Sequence, residues 1–235
     1  MNTNSNTYTI IYASVMVVIV AFLLAFISSS LKERQDANVR IDKKQQILAA
    51  LNLRGLDKAE VEQKYSEVVL ADMIVTAKGD TVNAGADKEA AGFEVENKSI
   101  TADNLPLYVC RVDSTVKYVV PMSGRGLWGG LWGYVALNAD MNTVYGAYFS
   151  HESETAGLGA LIAEQKFQDE FRGKKVFADS TYTQVRLSAV KNGKVEDPAY
   201  DVDGITGATL TTVGVDAMLK DGLQIYQDYF KANHQ

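Results

Sequence analysis

The sequence predicts an α+β fold in which a single N-terminal transmembrane helix precedes a domain with a mixed or antiparallel sheet flanked by helices. Two observations favour this architecture. One uninterrupted apolar run lies near the N terminus, at residues 10–27. Further along, short segments rich in Val and Tyr alternate with turn residues and stand among segments of helical periodicity. Such mixing is typical of α+β domains rather than of doubly wound sheets.

The apolar run at residues 10–27 carries no charged side chain. As a helix rising roughly 1.5 Å per residue, it would be about 27 Å long, close to the thickness of the hydrocarbon core of a membrane. A cleaved signal peptide is the alternative, but residues 1–9 contain no Lys or Arg, and the run is longer than a typical signal core. We therefore expect an N-terminal tail over residues 1–9 and a retained transmembrane helix over residues 10–28.

Residues 29–106 are expected to form a membrane-proximal helical and loop region. Within it, a charged segment passes into a helix over residues 32–53, and a second helix is predicted over residues 57–70, where apolar side chains recur at helical spacing. Residues 78–106 are polar and contain several glycines, which indicates loops and short pieces of structure.

Residues 107–235 are expected to form the second domain. Its predicted elements, in chain order, are strands at 107–112, 117–120, 133–137 and 144–149, a helical segment at 162–171, a strand at 182–190 that ends in a turn at 191–194, and a helix that begins near residue 209.

The composition excludes several classes of chemistry. A single cysteine, Cys110, forbids an internal disulfide and a cysteine-rich metal or iron–sulfur site. Only two histidines are present, so we expect no metal site. A net charge of −6 argues against a nucleic-acid partner. Because the chain also has no strand-linked GxGxxG segment, we expect no NADH site of its own.

The most informative segment is DGITGATLT at residues 203–211. It opens a stretch whose apolar residues recur on one helical face, namely Val215, Leu219, Leu223, Tyr226 and Phe230. A glycine-containing turn that runs into a helix start exposes backbone N–H groups, which suit a phosphate. Two hydroxyls, of Thr206 and Thr209, bracket the small Gly207-Ala208 pair. An ordinary turn and helix cap is the simpler interpretation of Gly-Ala-Thr alone.

Two further segments stand out. The first contains Leu127 and Trp128 in a glycine-rich stretch at residues 123–137, which suits a loop where a flat ligand meets an aromatic wall; a turn beside two core tryptophans is the alternative. The second is HESETAGLG at residues 151–159, in which a histidine beside carboxylates most often marks a solvated loop. We therefore expect no catalytic residues.

Residues 203–209 closely resemble the flavinylation motif of the FMN-binding domain family, Asp-x-x-Ser/Thr-Gly-Ala-Thr. The match is residue by residue, at Asp203, Thr206, Gly207, Ala208 and Thr209. In that family the last threonine carries FMN through a phosphoester bond, which makes Thr209 the expected attachment site. The resemblance also identifies residues 107–235 as the FMN-binding domain.

Other motifs follow the family's order and spacing. Residues 154–159 are similar to its Glu-Thr-Pro-Gly-Leu-Gly loop, with Ala156 in place of the usual proline, which loosens the loop without removing a contacting side chain. The segment that ends at Lys174 also matches. The resemblance implies a flavin pocket formed by Leu127, Trp128, Glu154, Thr155, Leu158 and Lys174, and a flavin transferase that recognises Asp203, Thr206, Gly207 and Ala208.

Within the family, the chain is most similar to the C subunits of sodium-translocating NADH:quinone reductases; the G subunits of Rnf ferredoxin:NAD electron-transport complexes are the alternative. This implies a membrane-anchored electron carrier that works with other subunits, in a bacterial inner membrane, with a periplasmic large domain and no stand-alone NADH activity. Orientation is in conflict, because the basic residues after the helix favour a cytoplasmic domain under the positive-inside rule. These are Lys32, Arg34, Arg40, Lys43 and Lys44.

Two other functional classes are weighed against the carrier. A membrane-tethered adhesin would explain the anchor and the glycine-rich loops, but not the complete attachment motif. A periplasmic hydrolase would need a nucleophile and a base, and His151 is the plausible base.

Overall fold

The computed structural model describes residues 5–179 and 181–234 and divides into two compact units, the first ending at Lys43 and the second beginning at Lys44. Helix α1 spans Asn6–Ala50. The apolar side chains at residues 10–27 are exposed. Among the described residues, α1 is the one helix long and apolar enough to cross a membrane, a test that an N-terminal signal sequence also passes.

Helix α1 is longer than the predicted span of residues 10–28. The first four residues of the predicted tail lie outside the described residues, and residues 6–9 are already helical. At the other end the helix continues to Ala50. The sequence after residue 28 is rich in Leu, Lys, Glu, Arg, Gln and Ala, which have high intrinsic helix propensity.

The second unit is built on an antiparallel sheet with the strand order β2-β1-β3-β4-β5-β6. The strands are β1 (Val69–Val75), β2 (Thr81–Asn83), β3 (Leu105–Val112), β4 (Thr115–Arg125), β5 (Gly130–Leu137) and β6 (Val144–His151). From β3 to β6 each strand pairs with the next along the chain. The α+β architecture with a sheet flanked by helices is therefore confirmed.

Helices cover both faces of the sheet. Side chains alternate along β5, so Trp132 points away from the face occupied by Leu131. On the Trp132 side, its Nε1 donates to Gln46 Oε1 (3.1 Å), and α2 (Lys58–Val68) packs against β1 and β3. On the Leu131 side lies the main core, which α4 (Thr209–Gln224) completes.

Helix α4 approaches the end of β4 closely because glycines stand at the contact. A Cβ at Gly214 would lie 2.4 Å from the Arg125 carbonyl oxygen, and one at Gly124 would lie 2.7 Å from Met218 Cβ. This packing holds the first turn of α4 beside the hairpin that joins β4 to β5. The remaining elements are α3 (Gln165–Asp169), the parallel pair β7 (Ser188–Val190) and β8 (Asp201–Asp203), and α5 (Gln227–Asn233).

The predicted apolar face after residue 209 is confirmed. Its five residues are all buried: Val215, Leu219, Leu223, Tyr226 and Phe230. The helix is interrupted between α4 and α5, where the Tyr226 hydroxyl donates to the Pro106 carbonyl (2.7 Å). The second predicted helix is also present as α2, and it begins with a capping box in which Asp57 and Glu60 bond each other's backbone N–H groups.

Several predicted boundaries were wrong. Residues 69–70 belong to strand β1 rather than to the second helix, and the expected boundary at residue 107 falls inside β3, so β1 and β2 complete the same sheet. The glycine-rich stretch is mostly hairpin rather than loop, since only residues 126–129 lie outside β4 and β5. Glycine fits these strands because α4 and neighbouring side chains occupy the space that a Cβ would need.

The strand predicted at residues 182–190 is regular only over β7. The residues before β7 instead bond to the segment around Val176: Arg186 N and Leu187 N both donate to the Val176 carbonyl (2.7 and 3.1 Å). Similarly, the helical pattern at residues 162–171 forms a 3-10 turn (Gly159–Ala163) followed by the short α3.

Candidate functional site

The segment that begins at Asp203 forms a turn leading into α4. Ala208 N donates to the Ile205 carbonyl (3.0 Å), and Gly207 between them has a φ of +76°. That conformation favours glycine, because a side chain would be strained there. The helix then begins at Thr209, and within the described part of the chain no side chain caps its first N–H groups. The turn therefore offers free backbone donors at the positive end of the α4 dipole.

The threonine hydroxyls around this turn differ in their hydrogen bonding. Three of them are engaged: Thr206 Oγ1 donates to Asn192 Oδ1 (2.9 Å), Thr211 Oγ1 to Glu154 Oε2 (2.5 Å) and Thr212 Oγ1 to the Ala208 carbonyl (3.1 Å). Thr209 is exposed, and among residues 5–179 and 181–234 its hydroxyl has no hydrogen-bond partner. Of the four, Thr209 is therefore the threonine whose hydroxyl is left without a partner among the described residues.

Glu154 links the three distinctive segments. Its Oε1 accepts from the backbone N–H of Trp128 (2.8 Å), at the tip of the β4–β5 hairpin. Its Oε2 accepts from the Thr211 hydroxyl (2.5 Å), in the first turn of α4. Its backbone N–H donates to His151 Nδ1 (3.2 Å). The buried carboxylate therefore ties the hairpin tip, the loop after β6 and the start of α4 to one another.

Glu154 is held as an anion. Burial by itself would raise the pKa of this carboxyl, but the hydrogen bonds from Thr211 and from the backbone N–H groups of Trp128 and Gly129 outweigh it, so the pKa lies below its ordinary value. Glu154 is consequently a fixed acceptor at neutral pH rather than a proton donor.

Glycines let these segments close around the Glu154 carboxylate. A Cβ at Gly126 would lie 2.5 Å from Glu154 Oε1. A Cβ at Gly159 would lie 2.5 Å from Thr211 Oγ1 and 2.6 Å from Glu154 Oε2. Any side chain at either position would push the hairpin or the loop away from α4.

Exposed apolar side chains stand on the three segments that Glu154 joins. Those predicted from the sequence are Leu127, Trp128 and Leu158, with exposed fractions of 47%, 65% and 41%; α4 adds Leu210 and Val213, at 60% and 56%. Leu158 lies over the turn, since a Cβ at Gly207 would be 3.0 Å from Leu158 Cδ2. We call these five side chains the Thr209 patch.

On the other side of the turn, Asp203 and Thr206 bond to the loop after β7. Asp203 Oδ1 accepts from Gly193 N (2.7 Å) and Oδ2 from Asn192 Nδ2 (3.1 Å). Sequence reasoning missed Asn192, although it falls in the turn predicted at residues 191–194. The available signal was its Asn-Gly pair, which marks a turn but not its neighbour in space.

Lys174 and Thr155 lie at the margins of the site. Lys174 Nζ donates to the Pro198 carbonyl (2.7 Å). The charges of Asp203 and Lys174 both affect Glu170: burial and the Asp203 charge raise its pKa, and the Lys174 charge partly offsets this rise. The contacts therefore place Lys174 on the Asp203 side of the turn rather than beside Glu154. Thr155 is exposed, and its carbonyl accepts from the N–H groups of Leu158 and Ala160 (both 3.1 Å), which shapes the loop.

The histidine of this loop has a structural partner. His151 Nδ1 accepts the Glu154 backbone N–H, so one ring nitrogen stabilises the loop turn. Within residues 5–179 and 181–234, no group of three or more His, Cys, Asp and Glu side chains is arranged to hold a metal ion.

Known proteins match this chain in sequence and in fold. Residues 126–224 match the FMN-binding domain family. The C subunit of the Na(+)-translocating NADH-quinone reductase of Haemophilus ducreyi is 31% identical, covering 98% of this chain and 96% of its own length. The corresponding protein from Vibrio vulnificus is 30% identical, over 79% and 78%. The crystal structure of the corresponding protein from Parabacteroides distasonis has a TM-score of 0.76 and 39% identity, covering 85% of this chain and 96% of that one.

These similarities confirm the resemblance that the motifs indicated. The matched residues 126–224 include Trp128, Glu154, Lys174 and Thr209, and the similarity to the Haemophilus ducreyi protein extends through α1 to nearly the whole chain. The single apolar N-terminal helix also fits a one-helix membrane anchor. The chain therefore belongs to the family of the C subunits of Na(+)-translocating NADH-quinone reductases.

Proposed function

We propose that this chain is the FMN-carrying, membrane-anchored subunit of a Na(+)-translocating NADH-quinone reductase, with FMN esterified through its phosphate to Thr209 Oγ1. The observation that carries the proposal is the free, exposed hydroxyl of Thr209 beside three engaged threonines. The match of residues 126–224 to the FMN-binding domain family supports FMN as the cofactor.

The attachment is a phosphoryl transfer to an alcohol. The Thr209 oxygen attacks the FMN phosphorus of a donor with a pyrophosphate bond, such as FAD; the new O–P bond forms, the pyrophosphate bond breaks, and AMP leaves. The hydroxyl proton passes to a base. Because no such base is bonded to the Thr209 hydroxyl within the described residues, we assign the base and the donor site to a separate flavin transferase.

The phosphate would then lie at the start of α4. Its negative charge suits the free N–H groups of the first turn and the dipole of a helix that is 16 residues long. Gly207 keeps the approach open, since it carries no side chain. Glu154 is also negative, but both of its carboxylate oxygens accept hydrogen bonds, one from the Trp128 backbone N–H and one from the Thr211 hydroxyl. We therefore assign it the role of joining the segments of the site rather than of contacting the phosphate.

The isoalloxazine ring would lie against the Thr209 patch. Leu127, Trp128 and Leu158 offer apolar and aromatic surface that would otherwise remain in water. When bound, FMN supplies the electron-carrying chemistry, and the protein sets its position and its potential. Thr155 and Lys174 flank the site and are proposed as weaker contacts to the flavin.

Electrons would enter and leave through partner subunits. The chain has no dinucleotide fingerprint and one helix of membrane-spanning length among its described residues, so NADH oxidation and ion transport are assigned to those partners. We place the anchor in a bacterial inner membrane and the large domain in the periplasm. This orientation is opposite to the one that the basic residues after residue 31 favour under the positive-inside rule. The matched relatives are C subunits, which favours the sodium-translocating reductase over the Rnf complex.

The attachment is tested by substituting single threonines in the full chain, produced together with a flavin transferase. Thr209→Ala should abolish the fluorescent flavin band on a denaturing gel, because it removes the proposed ester oxygen, while Ala is tolerated in the first turn of a helix. Thr209→Ser should restore the band, and Thr211→Ser should keep it. A fluorescent band that survives Thr209→Ala would contradict the assignment.

A further inference from the structure

The turn after β7 and the turn after β8 lie side by side. The two strands are parallel and place Val190 opposite Asp203, so the turns that follow them begin at the same end of the strand pair. They approach closely because Gly204 has no side chain; a Cβ there would lie 2.3 Å from the Val190 carbonyl oxygen. The loop at residues 191–194 is thus the immediate neighbour of the turn that presents Thr209.

Asn192 bridges the two turns with every polar group of its side chain. Its Nδ2 donates to Asp203 Oδ2 (3.1 Å) and to the Gly204 carbonyl (2.9 Å), and its Oδ1 accepts from the Thr206 hydroxyl (2.9 Å). The partners fix the amide orientation, since a carboxylate and a carbonyl require donors whereas a hydroxyl supplies one. Next to it, Gly193 N donates to Asp203 Oδ1 (2.7 Å). We call this set of bonds the Asn192 clamp.

The clamp engages the polar side chains of the attachment motif. Both carboxylate oxygens of Asp203 and the hydroxyl of Thr206 are bonded within the chain before any enzyme arrives. Their bonds run to the neighbouring turn, whereas the exposed hydroxyl of Thr209 has no hydrogen-bond partner among residues 5–179 and 181–234. Asp203 and Thr206 are therefore arranged to set the shape of the turn.

We propose that Asn192 is a positioning residue for flavin attachment, and that a transferase reads Asp203 and Thr206 through the turn geometry which the Asn192 clamp holds. The proposal rests on attachment at Thr209. Without the clamp the turn samples other conformations, so only a fraction of molecules is competent to bind the transferase. The apparent affinity falls by that fraction, whereas the bound complex reacts as before.

The test measures steady-state flavin attachment to the full chain by a purified transferase with FAD, varying the concentration of the chain. Asn192→Ala should raise KM for the chain about tenfold and leave kcat within about twofold, as expected from losing a hydrogen bond to a charged group. Asn192→Asp keeps the size but loses both donors and places a carboxylate beside Asp203, so its KM should rise at least as much. Lys191→Ala, an exposed change in the same turn, should behave as wild type.

Coupling to Asp203 separates positioning from direct recognition. If Asn192 acts through Asp203, then Asp203→Ala combined with Asn192→Ala should raise KM by less than the product of the two single effects; a smaller further rise is expected because Asn192 also bonds Thr206 and the Gly204 carbonyl. Additive effects, a loss confined to kcat, or a wild-type KM in both Asn192 variants would overturn the proposal while leaving Thr209 as the attachment site. A wild-type chain that gains no flavin at Thr209 would instead overturn the attachment itself. Thermal unfolding of each variant confirms that folded chains are compared.

Discussion

Replacing Glu154 by Gln tests whether the carboxylate frames the site. The substitution preserves shape but leaves one acceptor oxygen in place of two. Of the bonds from Trp128 N (2.8 Å) and Thr211 Oγ1 (2.5 Å), one is lost and the other becomes a neutral hydrogen bond. Bonds to a charged group contribute about 1.5–3 kcal/mol and neutral ones about 1 kcal/mol, so the free energy of unfolding should fall by about 2–5 kcal/mol.

The assay is thermal and urea unfolding of the flavin-free chain in detergent. For a domain of this size each 1 kcal/mol moves Tm by about 2–4 °C, so Glu154→Gln should melt roughly 4–20 °C below wild type at pH 7. The pKa of Glu154 is lowered by folding, so its contribution is present above the ordinary value of 4.5 and is lost as the pH falls through the folded value. The difference between the two proteins should therefore shrink as the pH falls below 4.5 and the folded carboxyl becomes protonated.

The control is Glu152→Gln, an exposed glutamate of the same loop that accepts from Gly130 N (3.1 Å). It should change the free energy of unfolding by no more than about 0.5 kcal/mol. The reasoning is refuted if Glu154→Gln unfolds like wild type at pH 7, or if its deficit stays constant down to the acid limit.

Three further outcomes follow from the structure. Gly214→Ala should destabilise the chain by about 1–3 kcal/mol, because its Cβ would lie 2.4 Å from the Arg125 carbonyl oxygen; unfolding at the wild-type urea concentration would contradict the close packing of α4 on β4. Removing residues 1–30 should release a soluble domain, since the second unit begins at Lys44; recovery only in the membrane fraction would argue against a one-helix anchor. The flavin-loaded chain should be reduced by dithionite yet show no NADH oxidation, and turnover near the typical enzyme value of about 10 s⁻¹ would refute the carrier role.

Local patterns predicted the parts of the fold that local physics determines. The face of Val215, Leu219 and Leu223 repeats with helical spacing, and a helix with such a face must bury it. The short Val- and Tyr-rich segments became β3, β5 and β6 because each contains its own strand signal and is followed by turn residues. The attachment motif was visible because its five matching residues are contiguous or nearly so.

Contacts between distant segments could not be predicted in the same way. The hydrogen bond from Thr211 to Glu154 joins residues 57 positions apart, and periodicity contains no information about it. The parallel pairing of β7 with β8 rests on three residues in each strand, too few for a pattern, and the Asn192 clamp depends on that pairing. The glycines of residues 123–133 suggested a loop because their role, leaving room for α4 and Phe149, belongs to the tertiary structure.

The most direct measurement of the central claim is mass-spectrometric mapping of the flavin on the full chain made with a transferase. Trypsin releases residues 195–220 as one peptide that contains Thr206, Thr209, Thr211 and Thr212. We predict that this peptide gains the mass of FMN less one water, and that fragment ions place the addition on Thr209. Flavin on one of the other three threonines, or a wild-type peptide without added mass, would contradict the account.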